Sequence, residues 1–77
     1  MTARLDAGWL TVPYGGPALA PCYIAVGGRG PSEWRPAFKA WRGQQRVLQV
    51  RPPAGSGPVR VWVKISGVVT AAGQVTL

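Results

Sequence analysis

The stretch "VRVWVKISG" (Val59–Gly67) alternates almost without fault. Val59, Val61, Val63 and Ile65 share one side of an extended chain, and Arg60, Trp62, Lys64 and Ser66 share the other. Successive side chains of a strand point to opposite faces, so this pattern predicts a β-strand with one buried side. One residue breaks the rule of apolar inside and polar outside. Trp62, the largest apolar side chain, stands between two cations on the face expected to meet water.

Working outward, the neighbouring segments read the same way. "GWLTVPY" (8–14) sets Leu10, Val12 and Tyr14 against Trp9, Thr11 and Pro13. "CYIAV" (22–26) is apolar on both faces, as a buried strand is. "QRVLQVR" (45–51) opposes Val47 to Leu48 and Val50. "EWRPAFKAW" (33–41) fits either period; Pro36 disfavours a central strand, so an irregular edge strand is favoured over a helical turn. "GVVTAAG" (67–73) reads as a turn and "QVTL" (74–77) as a final extended piece. Gly/Pro-rich segments at 15–21, 27–32 and 52–58 separate these runs and carry turn chemistry. Five to six short strands so punctuated predict an all-β fold, a small Ig-like or short β-sandwich. Residues 1–7 are mixed and polar and read as a flexible N-terminal arm, leaving 8–77 as one sandwich domain.

The chain has 77 residues, with 11 Gly and 8 Pro, too many for a helical bundle. In a domain this small, burial gains little more than ordering costs, and disulfides, metals or association commonly make up the difference. Cys22 is the single cysteine and there is no His, so neither an internal disulfide nor a Cys/His zinc site can form. Association is then the expected support: a homo-oligomer, or many copies on an assembly. A single thiol also suits a reducing compartment. The N-terminal segment shows no signal-peptide pattern, and no apolar run is long enough to predict a membrane span.

Chemistry-bearing groups are scarce. Without His, the carboxylates are Asp6 and Glu33 alone, in separate segments, and Cys22 lies in an apolar strand with no base to activate it. "GGRG" (27–30) and "GSG" (55–57) match neither the Walker A spacing nor the dinucleotide fingerprint. The expectation is a protein that is not an enzyme, with no cofactor and no metal.

Binding is better represented. Nine Lys and Arg, seven of them Arg, face two acids, for a net charge of +7. Arg forks match carboxylates and phosphates and stack on aromatic rings. Four Trp accompany them. Trp34 and Trp41, flanking Phe38, read as core, and Trp9 and Trp62 as interface. Three readings of Trp62 compete: a ring covered by its own chain, a surface stack on Arg60, Lys64 or Arg46, or an interface anchor. Interfaces are enriched in Trp and Arg, and the need for association favours the third. The expected partner-binding residues are Trp62, Arg60 and Lys64, with Trp9 and Arg4 as a second set on an arm reaching a neighbour. A basic, aromatic β-domain also fits single-stranded nucleic acid, although no RNA-recognition motif is present.

A resemblance adds to this. "LTVPY" (10–14), "YIAV" (23–26), "WRPAFKAW" (34–41) closed by Gly43, "RVLQVRP" (46–52), "VRVWVKISG" (59–67) and "AAGQVTL" (71–77) follow one another as in a group of small virion proteins. The order resembles small β-rich proteins from the structural gene modules of tailed phages of actinobacteria, over about residues 9–77. The resemblance implies a structural role in a virion assembled in the bacterial cytoplasm. The partner would be the major capsid protein or another virion protein, with the chain acting as a capsid decoration or minor capsid protein. A head–tail connector or tail component is the alternative within that group.

Overall fold

The computed structural model describes residues 2–77, and those residues form eight strands and no helix. The strands are β1 (Arg4–Asp6), β2 (Trp9–Pro13), β3 (Cys22–Gly27), β4 (Arg35–Pro36), β5 (Phe38–Arg42), β6 (Gln45–Val50), β7 (Pro58–Ile65) and β8 (Val68–Thr76). They make two antiparallel four-stranded sheets, ordered β1-β2-β6-β5 and β4-β3-β7-β8. The all-β sandwich expected from alternation is the architecture.

Each inner face is the apolar side of its strands. Leu10 and Val12 of β2 lie beside Val50 and Leu48 of β6, and Ile24 of β3 lies beside Val63 of β7. With Cys22, Val61, Tyr14, Ala72 and Val75 these form one buried cluster, with Val59 and Ile65 at its margin. Full burial of such side chains contributes about 1.5–3 kcal/mol each.

Three tight turns fix register. Ala7–Gly8 and Ser66–Gly67 both place two successive residues at positive φ (51° and 82°, 48° and 84°). That is the mirror-image turn whose twist suits a two-residue hairpin. The β5–β6 turn uses Gly43 at φ 64°.

Two expectations are corrected, and a third, the edge strand favoured over 33–41, holds but is split in two. The arm over 1–7 contains β1, which pairs Arg4, Leu5 and Asp6 with Thr11, Leu10 and Trp9; residue 1 lies outside the described residues. The pattern missed it because three residues are too few to show a period. Segment 33–43 is two edge strands in different sheets: β4 pairs with β3 and β5 with β6. Pro36 stands opposite Tyr23 at a position whose N–H would face the open edge, so the proline costs the β3 ladder nothing and marks β4 as an edge. The chain then crosses at Ala37, whose N–H donates to the Cys22 carbonyl at 2.9 Å. Residues 67–73 are not a turn beyond Ser66–Gly67, because β8 runs unbroken from Val68 to Thr76. Its register slips opposite Arg60–Trp62, and Gly73 there takes φ 81°. This bulge hides the strand's alternation, since an extra residue reverses the faces beyond it.

Candidate protein-binding face

Strand β7 carries the site. Val61 and Val63 point into the core, so Arg60, Trp62 and Lys64 are committed to the outer face. Register then decides their neighbours: Tyr23, Ala25 and Gly27 of β3 stand opposite Lys64, Trp62 and Arg60. On the other side Val69, Ala71 and Gln74 of β8 stand opposite the same three residues.

Trp62 thus lies between two alanines, a gap that only small side chains leave. It is half-buried, and its Nε1 is fully covered with no acceptor. The accessible part of the indole is therefore carbon. Ala25 in this row is only 3% exposed although its side chain alternates with the inward Ile24.

Lys64 organises the rest. Its Nζ stands 5.0 Å from the Tyr23 ring centroid and 4.7 Å from that of Trp34. Both lie within the range of cation–π attraction, worth about 0.5–1 kcal/mol at exposed sites. The ammonium is thereby drawn in over the rings. Among the described residues the ion pairs are those of Asp6, with Arg4 and Arg42, both on the other sheet. Arg60 and Lys64 keep their charge unneutralised by any carboxylate.

Trp9 and Arg4 are not brought to this face. Both belong to the β1-β2-β6-β5 sheet, and Trp9 is part of β2 and not of an arm. Its ring meets Phe38 edge-on, with centroids 6.3 Å apart, and carries Arg51 at 3.8 Å. Arg4 and Arg42 each approach Asp6 to 3.9 Å. Arg42 also donates to Gln49 Oε1 at 3.4 Å, so it spans this outer face, while Thr11 and Val47 of the same sheet are fully buried.

The two core tryptophans are corrected as well. Trp41 is 66% exposed and Phe38 64% exposed, because β5 is an edge strand. Trp34 is half-buried and belongs to the outer face through Lys64. Of the three readings of Trp62, the cation stack is not the one formed. Lys64 engages Tyr23 and Trp34, and Arg46 lies 5.2 Å from the Tyr14 ring. Reading the sequence missed Tyr23 and Trp34. Alternation through β3 marks Tyr23 as outward once Ile24 is known to be inward, but nothing local marks Trp34.

Concave sites are modest. A cleft of ≈ 110 Å³ at one end of the sandwich is lined by Leu10, Val50, Glu33, Arg35 and Arg51. That is well below the roughly 300 Å³ where small-molecule pockets begin. A broad hollow of ≈ 430 Å³ beside Tyr14, Trp41 and Arg46 is open to solvent. Tyr14 itself is buried, and its hydroxyl donates to the Pro17 carbonyl. Desolvation, then the Cys22 thiol beside it, hold its pKa above the ordinary tyrosine value.

Comparison with known proteins returns no match to a family model, to a curated protein or to a solved structure.

Proposed function

We propose that this protein is a non-catalytic β-sandwich that docks on a protein assembly through the outer face of the β4-β3-β7-β8 sheet. The observation that carries the proposal is the Lys64 ammonium held over Tyr23 and Trp34 beside the half-buried Trp62. A preorganised patch of aromatic carbon with two unpaired cations is the composition of an interface centre. Its complement is an apolar hollow rimmed by carboxylates. The resemblance to virion proteins of tailed actinobacteriophages supports a definite setting: attachment to the capsid as a decoration or minor capsid protein, or a place in the head–tail junction. Many copies on a shell would also stabilise a small domain, because binding the folded form raises its apparent stability.

A second reading shares the same face. Aromatic rings interleaved with cations stack bases and track phosphates. One experiment separates the two. The protein is mixed with purified capsids lacking it, and separately with a single-stranded oligonucleotide, at low and physiological salt. The docking proposal expects co-sedimentation with capsids at physiological salt, reduced at least about tenfold by Trp62→Ala. Oligonucleotide binding that falls steeply with salt, with no capsid binding, would replace it with the nucleic-acid reading.

A further inference from the structure

Four strands end the two sheets: β1, β5, β4 and β8. An open edge offers unpaired N–H and C=O groups, and proteins blunt such edges with charge, proline or shortness. Three of the four are blunted. β1 is three residues long and bears Arg4 and Asp6, β4 is two residues with Pro36, and β5 carries Lys39 and Arg42. β8 is nine residues long, "VVTAAGQVT", with neither charge nor proline.

Part of that edge is covered. The Ala3 N–H donates to the Ala72 carbonyl at 2.7 Å. Among the described residues no backbone hydrogen bond from another segment reaches Val68–Ala71 on this edge, and Val68 and Val69 are 65% and 49% exposed. The direction of its backbone groups follows from the ladder. Gly57 and Leu77 exchange both hydrogen bonds, at 3.2 and 2.9 Å. In an antiparallel pair such exchanges occur at every second residue. Odd-numbered residues of β7 therefore bond to β8, and Val63 and Ile65 meet Thr70 and Val68. Val69 and Ala71 then turn both their N–H and C=O groups to the open edge.

We propose that β8 pairs with β8 of a second copy of this chain, antiparallel about a two-fold axis at Thr70. Val69 of each copy then faces Ala71 of the other and exchanges two hydrogen bonds, four in all. The occupant follows from self-complementarity. A strand pairs with itself about a two-fold only in the antiparallel sense, which these outward groups permit. Two chains of net charge +7 repel, and the uncharged β8 edge is where they can approach. The sheets join into one of eight strands, and because the axis is normal to the sheet, both Trp62 faces lie on the same side. This dimer does not rest on the docking proposal, since it uses backbone groups of β8 and leaves Trp62, Arg60 and Lys64 unengaged, although the Val69 and Ala71 side chains border that patch.

Sedimentation equilibrium from about 1 μM to about 1 mM tests it, a span that captures weak, edge-only association. The wild-type chain is expected to rise from the monomer mass toward twice that mass. Ala71→Pro removes an outward N–H and keeps the ladder to β7; it should stay monomeric with an unchanged circular dichroism spectrum. Thr70→Lys brings two cations together at the axis and should also stay monomeric, which keeps the test intact if the proline variant fails to fold. A wild-type monomer throughout, dimerisation of Thr70→Lys equal to wild type, or growth past the dimer would each overturn the proposal.

Discussion

The Lys64 ammonium stands 4.7 Å from the ring centroid of Trp34, a residue thirty positions earlier in the chain. This contact ties β7 to the segment entering β4, at the end of the row that holds Ala25 and Trp62. It makes a patch from residues that are unremarkable apart. Lys64→Met should remove the attraction while keeping the stem, and lower stability by no more than about 1 kcal/mol. Chemical denaturation of the two proteins measures it. A larger loss would mean that Lys64 holds the fold.

Trp62 gives the opposite sign. Its covered Nε1 lacks an acceptor, and a buried unsatisfied donor costs about 1–3 kcal/mol. Trp62→Phe keeps an aromatic ring and deletes that donor, so its melting temperature should equal or exceed wild type. Trp62→Ala should lose only about 1–2 kcal/mol, less than a fully buried Trp loses, because part of the ring is already solvated. A collapse of the Ala variant would return Trp62 to the core.

Tyr14 makes stability depend on alkaline pH. Its folded pKa is raised by desolvation and by Cys22, whereas the unfolded chain titrates near the ordinary value of about 10. Above that value the unfolded chain gives up a proton that the folded chain keeps. Stability from this group is therefore complete below the unfolded pKa and is lost as pH rises toward the folded one. Tyr14→Phe should cost about 1 kcal/mol at neutral pH, through the lost hydrogen bond to Pro17. The gap should narrow above pH 10, as followed by urea melts at each pH. A gap that widens there would contradict the assignment.

Asp6 joins two strands of one sheet, reaching Arg4 on its own strand and Arg42 on β5, both at 3.9 Å. The groups are substantially exposed, and such pairs contribute about 0–1 kcal/mol. Asp6→Asn should therefore cost under about 1 kcal/mol, and the cost should vanish in molar salt. A larger, salt-independent loss would show that β1 depends on this carboxylate.

Trp41 and Ile24 separate edge from core. Trp41→Ala at a 66% exposed site should change stability by no more than about 0.5 kcal/mol. Ile24→Ala, at 1% exposure, should cost about 2–5 kcal/mol. Thermal melts of the pair decide it, and similar losses would contradict the burial pattern.

Which parts were legible follows from the same physics. Strands β2, β3, β6 and β7 announce themselves because each spans the core, β2 and β7 by a two-residue period and β3 and β6 by short apolar runs. β1 and β4 are too short to show one. β8 hides behind its bulge at Gly73, and its exposed Val68 and Val69 read as turn rather than edge. The face of Trp62, Arg60 and Lys64 is legible because one strand carries it. Tyr23 and Trp34 join it only through pairing between strands far apart in sequence. Trp41 is misplaced because its flanking apolar residues suggest a core, although Pro36 already marks the segment as an edge.

The four tryptophans offer the most direct test of the docking face, because they occupy different surfaces. Hydroxyl-radical footprinting, read by mass spectrometry with the protein free and capsid-bound, reports each ring. Protection of Trp34 and Trp62, with Trp9 and Trp41 as reactive as in the free protein, is the expected result. Protection of Trp9 or Trp41 while Trp62 stays reactive would contradict it.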